Sequence, residues 1–156
     1  MYKFSKESEK ILETVNPFLQ KAAKLTISRS KIDISIPKWG GFREADYQKE
    51  LFDKGWSKAD GYESKSNHQL KDEYGKSKAL DLCAYYKGEQ NWNKERLVYI
   101  AVHMLYAFEE LKKLGKIPSD LYIHWGGYWS SDDDSLGWDK PHFQISNKEQ
   151  TIYIKS

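Results

Sequence analysis

The chain predicts an α+β fold, a small antiparallel sheet with flanking helices. Three features of its 156 residues point there. Apolar residues recur at helical spacing in the first half and again around residue 100, short segments elsewhere alternate apolar with polar, and turn-rich stretches separate those segments. The length suits one compact domain and is short for two, so residues 1–156 are expected to form a single domain.

In chain order, FSKESEKILETVN offers Ser5 as an N-cap and puts Ile11, Leu12 and Val15 on one side of a short helix. Asn16-Pro17 reads as a fresh cap with proline at the first helical position, opening a second helix through FLQKAAKL. KIDISI alternates Ile32, Ile34 and Ile36 with Asp33 and Ser35, a half-buried strand that Pro37 and Gly40-Gly41 end. READYQKELFDKG follows as a helix stopped by Gly55. ALDLCAY reads as one strand. NKERLVYIAVHMLYAFEELKKLG is the clearest helix: Leu97, Ile100, Ala101, Met104, Leu105, Phe108 and Leu111 keep helical spacing, Val98, Val102 and Ala107 widen the apolar face, and Gly115 marks the C-terminal end. LYIHW, PHFQI and TIYI complete the set as short strands.

Composition excludes several functions. Charged residues reach 31% and mean hydropathy is −0.81, while aromatics reach 15%, so the core must use rings as much as aliphatics. Twenty-five Lys and Arg against 23 Asp and Glu are interspersed, which gives nucleic-acid binding no electrostatic support. Cys83 is the sole cysteine, which excludes an internal disulfide and a Cys-rich zinc ribbon. No apolar run of about 7–15 residues marks a secretory signal at the N-terminus, and none approaches the roughly 20 of a membrane span. An extracytoplasmic role therefore implies a separate protein that opens the membrane.

Of four histidines, His103 lies on the flank of the long helix, where packing is the expected role. His142 stands three residues after Asp139 in GWDKPHFQI, and Pro141 holds Lys140 extended, so the pair is presented at the mouth of a strand. An acid near a metal-binding histidine suits hydrolysis, although an Asp turn before a strand histidine is also an ordinary structural arrangement. His68 and Asp81 extend the pattern: with His142 they would supply two imidazoles and a carboxylate, the donor set of a catalytic zinc that keeps a fourth position for water. Asp81 sits among apolar residues and needs a partner, yet strand alternation also allows it to face solvent.

S-x-H followed by K-A-L-D-L, with W-D-K-P-H-F far downstream, resembles the zinc peptidase family that contains phage L-alanyl-D-glutamate endopeptidases, D-Ala-D-Ala carboxypeptidases and the vancomycin-resistance D,D-dipeptidases. GFREADYQKELF, GWSKADGYESKSNHQ and YIHWGGYW resemble further family segments in the same order, over about residues 10 to 146. The resemblance implies a Hedgehog/DD-peptidase-like fold and one Zn2+ per chain on His68, Asp81 and His142. It implies Asp139 as catalytic base, Arg43 facing the scissile carbonyl, and Ser66 either touching substrate or capping its turn. It implies a zinc metallopeptidase that acts on bacterial peptidoglycan as a monomer. The phage branch implies an endolysin cutting L-alanyl-D-glutamate bonds, held in the host cytoplasm until lysis. A D-Ala-D-Ala carboxypeptidase and a non-catalytic zinc or wall-binding module remain alternatives.

The family pattern S-x-H-x-x-G-x-A-x-D is departed from in two ways: twelve residues, QLKDEYGKSKAL, separate His68 from Asp81 where the pattern has six, and Ser77 stands in the glycine's place two before Ala79. Loop closure costs only roughly 0.6 kcal/mol per doubling of length, so LKDEYG is expected to bulge into solvent beside the cleft without moving either ligand. Tyr128 replaces the aspartate of W-G-G-D-W. His124 is expected to face solvent or pack on Trp125, with a supporting role behind a ligand as the alternative. Cys83 shares a predicted strand face with Asp81 but reads as a buried small hydrophobe. Asp132, Asp133 and Asp134 lack EF-hand spacing and read as a solvated turn. Trp125, Trp129 and Trp138 are candidates for stacking on substrate or for the core.

Overall fold

The computed structural model describes residues 1–130 and 135–152. Helix α1 (Lys6–Leu12) starts where Ser5 Oγ accepts from the Ser8 amide at 3.1 Å. Helix α2 (Pro17–Arg29) starts where Asn16 Oδ1 accepts from the amides of Phe18 and Leu19, and it runs beyond the predicted FLQKAAKL segment. Helix α3 spans Ala45–Asp53 and helix α4 spans Lys94–Lys113. Leu19, Ala22, Ala23 and Ile27 of α2 pack with Ile100, Ala101, Met104 and Phe108 of α4, and the alanines allow close approach. Val102 is 55% exposed, so the apolar face of α4 is narrower than the spacing predicts.

Two antiparallel sheets of three strands share this helical support. Strand β1 (Asp33–Ser35) pairs with β3 (Cys83–Tyr86), which pairs with β4 (Glu89–Asn91). Strand β2 (Ala79–Asp81) pairs with β6 (His142–Ser146), which pairs with β5 (Tyr122–Trp125). One cluster of buried residues joins α1, α2, α4 and both sheets, from Leu12 through Ile34 and Leu80 to Ile123 and Phe143.

The split between β2 and β3 corrects the single predicted strand ALDLCAY. At Leu82 the chain leaves one sheet for the other: the Leu82 amide still donates to the Pro141 carbonyl opposite it, but Pro141 has no N–H to return a bond, so the β2–β6 ladder ends there. Alternation therefore does not cross Leu82. Ala79, Leu80 and Asp81 are all buried, because β2 is covered on both faces, and Asp81 is not turned to solvent. Cys83 belongs to the other sheet: its Sγ faces the Ser35 carbonyl at 3.5 Å, and burial pushes the thiol up to about 12. The segment TIYI forms no strand at Thr151 and Ile152, while 153–156 and the acidic residues 132–134 lie outside the described residues.

The LKDEYG bulge is a hairpin tied down away from the cleft. Lys71 and Ser77 bridge antiparallel, Gly75 makes the turn at φ 71°, and Asp72 Oδ1 accepts from the amides of Tyr74 and Lys76. Asp72 Oδ2 accepts from the Asn16 side chain at 2.7 Å, and Tyr74 packs edge-on against Phe18. The hairpin thus fastens to the corner between α1 and α2.

Candidate metal centre and active-site cleft

Ladder register brings the first two candidates together. Asp81 lies directly opposite His142 where β2 pairs with β6. His68 comes from a loop, held by the turn that follows Ser66: Ser66 Oγ accepts from the His68 amide at 3.2 Å, and the Gln69 amide donates to the Ser66 carbonyl. The segment 40–43 organises the junction with backbone groups. Gly40 O accepts from the Asp81 amide, Gly41 O accepts from the His68 ring, and the Arg43 amide donates to the His68 carbonyl. A Cβ on Gly40 would stand 2.9 Å from the Asp81 carbonyl, so only glycine permits this approach.

Three donor atoms then converge. His68 Nε2, Asp81 Oδ1 and His142 Nδ1 form a triangle with sides of 3.2, 3.2 and 3.2 Å. The outer ring nitrogens fix the tautomers. His68 Nδ1 meets a carbonyl oxygen, Gly41 O, at 2.8 Å, and a carbonyl only accepts, so Nδ1 carries the proton and Nε2 turns a lone pair inward. His142 Nε2 donates in the same way to Gln144 Oε1 at 2.9 Å, an oxygen that also accepts from Asn67 Nδ2. All three candidate ligand residues are buried, and converging electron pairs in such a site favour a positive species among them.

The spacing fits a metal ion. Tetrahedral coordination with bonds of roughly 2.0–2.1 Å places neighbouring donors about 3.3 Å apart, close to the observed sides. Two neutral imidazoles and one carboxylate, each supported from behind, are a donor set for a divalent cation. Behind Asp81 stands Arg43, whose Nη2 donates to Asp81 Oδ2 at 2.8 Å, leaving Oδ1 for the triangle. Arg43 is itself fixed by Trp39 O at 2.6 Å and Gln48 Oε1 at 3.0 Å, which engages three of its five N–H donors.

Electrostatics of the unliganded triangle follow from burial and charge. Burial pushes His68 down to about 4. Burial also disfavours charge on Asp81 and on His142, but His68, then His142 and Arg43, outweigh it at Asp81, which lies well below its usual range, and Asp81, then Asp139, outweigh it at His142, which is raised. Asp139 stands just outside, with Oδ2 3.8 Å from His142 Nδ1. Burial, then the neighbouring Asp81 charge, pushes its carboxyl up to about 6. Its position depends on Gly126, where a Cβ would meet the Asp139 carbonyl at 2.2 Å.

The triangle forms the floor of a cleft of about 690 Å3 whose walls include Trp39, Trp56, Trp92, Trp129, Trp138, Lys58, Lys65 and Ser66. Of the sequence candidates, His68, Asp81, His142, Asp139, Arg43 and Ser66 all meet here. Trp129 leans on the His142 ring at 5.0 Å, whereas Trp125 is core, with its indole N–H given to the Lys140 carbonyl. His124 pairs with the Lys148 carbonyl and His103 packs against the Tyr99 ring at a tilt of 51°, so neither joins the triangle.

Residues 1–145 match the family described as phage L-alanyl-D-glutamate peptidase. The chain belongs to that family. No curated protein matches it in sequence. Among solved structures, the Serratia marcescens L-Ala D-Glu endopeptidase ChiX superposes with a TM-score of 0.66 at 25% identity, over 94% of this chain and 90% of that one. In this member of the phage L-alanyl-D-glutamate peptidases, sequence reasoning overlooked Gln48, Asn67, Gln144 and the tryptophans at 39, 56 and 92. Gln48 had a signal, the glutamine of GFREADYQKELF; the others come together only through tertiary structure.

Proposed function

We propose that the chain hydrolyses the L-alanyl-D-glutamate bond of the peptidoglycan stem peptide, with one zinc ion held by His68, Asp81 and His142. The observation that carries this reading is the 3.2 Å triangle of inward lone pairs with Asp139 beside it, at the floor of an open cleft. A zinc ion held by these three residues would supply Lewis acidity, lowering the pKa of a water to about 7 and polarising a carbonyl.

Asp139 acts as the base. A carboxyl pushed up to about 6 holds a proton better than an ordinary aspartate, so it takes one from the attacking water and returns it to the departing amine of D-glutamate. Arg43 keeps Asp81 in place and turns a remaining N–H toward the carbonyl oxygen as negative charge develops, an interaction often worth ~3 kcal/mol. Ser66 caps the turn that carries His68 and borders the substrate. Lys58 and Lys65 give the cleft positive charge suited to the free carboxylate of D-glutamate.

The proposed reading takes the chain to act as a monomer and as a single catalytic domain. Within a phage life cycle this activity is an endolysin's, waiting in the host cytoplasm until lysis and then cutting the wall. No helix among the described residues is long and apolar enough to cross a membrane. Digestion of purified peptidoglycan followed by mass spectrometry tests the reading. New N-terminal D-glutamate with new C-terminal L-alanine is expected; release of D-alanine instead would mean a carboxypeptidase.

A further inference from the structure

Outside the triangle, the cleft carries a second organised feature. Trp39 follows β1, Trp56 follows α3 and Trp92 follows β4, yet the three indoles meet on one wall. Trp39 and Trp92 stack at 5.9 Å with planes 13° apart, and Trp56 leans on Trp39 at 5.9 Å. Trp56 is 60% exposed and Trp92 40%. Single exposed aromatics are commonplace, but two exposed indoles packed on a third, Trp39, beside a catalytic floor form a patch that water covers at a cost and a ligand would cover with gain.

Resting on the proposed hydrolysis, we infer that this shelf binds the glycan strand from which the stem peptide hangs. Two observations select a sugar. The shelf is joined to the floor, because the Trp39 carbonyl accepts from the same guanidinium that grips Asp81. A group one residue away from the scissile bond, as the muramyl sugar is from the L-alanyl carbonyl, therefore falls within its reach. The shelf is also uncharged in its rings, with Lys54 set over Trp56, whereas the peptide beyond D-glutamate carries carboxylates that match Lys58 and Lys65. A pyranose presents C–H groups on its face, which suit the negative face of an indole.

The test compares kcat/KM for a disaccharide-linked stem peptide with that for the same peptide lacking sugar. The wild type should favour the linked substrate, and Trp56→Ala and Trp92→Ala should each shrink that ratio by about two- to tenfold. Tyr106→Ala, at a 77% exposed site on α4, should leave the ratio alone. A wild-type ratio of one, or a ratio insensitive to both tryptophan substitutions, overturns the shelf while leaving the hydrolysis intact. If the wild type cleaves neither substrate, the hydrolytic reading fails. Tryptophan fluorescence with an N-acetylglucosamine tetramer then decides the shelf separately: quenching that Trp56→Ala weakens supports it, and no binding at millimolar sugar overturns it.

Discussion

The floor and the walls of the cleft are built on opposite terms. On the floor, His68, Asp81 and His142 are at most 5% exposed, and each has its outer atoms tied to Gly41, Arg43 or Gln144. On the walls, Trp56 and Trp138 are more than half exposed, with Trp39 and Lys54 against the Trp56 ring and Lys58 over the Trp138 ring. A buried polar cluster tolerates no loose member, because an unmatched charge there costs several kcal/mol, while an exposed ring can be lost at little cost to folding. On the proposed reading, the chemistry is thus locked in place, and recognition of substrate is left to groups that folding hardly uses.

Breaking the floor should have the largest effects. His142→Ala removes one of three donors, so metal binding and hydrolysis should both fall to background in metal analysis and peptidoglycan turbidity assays. Asp139→Asn should keep the metal while lowering kcat by roughly 10²–10⁴-fold. The same base should give wild-type kcat/KM an acidic limb at or below pH 6: protonated Asp139 cannot accept, so activity falls as pH drops through its raised value. Arg43→Ala leaves the Asp81 carboxylate buried without its partner, and the metal-free protein should lose about 3–5 kcal/mol in urea denaturation. Gln144→Leu frees the His142 ring and should weaken metal affinity by roughly 10–100-fold. The smallest effect on the site should come from the hairpin. Asp72→Ala should lower stability by about 2 kcal/mol through the lost bond to Asn16 and the turn amides, with metal affinity unchanged.

The same contrast explains what the sequence disclosed. Helix starts were legible because Ser5 and Asn16 cap locally, and α4 because its apolar residues keep one period. The strand break at Leu82 was not, since ALDLCAY carries no Gly or Pro there and the switch depends on Pro141, nearly sixty residues on. The candidate ligands were legible because their residue types are few and matched a family pattern in order. Their supports were not: Gln144 and Asn67 gain meaning only from the pairing of β6 beside the His68 loop. The tryptophan shelf joins three loops, and no spacing in the chain announces such a meeting. Nor does composition reveal that the LKDEYG hairpin docks on the α1–α2 corner, because that contact rests on tertiary partners: the Asn16–Asp72 side-chain bond, the Phe18–Tyr74 ring pair and the backbone bonds of Ser77 to Thr14 and Asn16.

The most direct measurement is metal content alongside hydrolysis for the wild type and Asp139→Ala, purified in parallel. The triangle predicts about one zinc per chain in both proteins, with stem-peptide cleavage only in the wild type, lost on chelation and restored by zinc. A folded, metal-free wild type that still cuts the wall would contradict it.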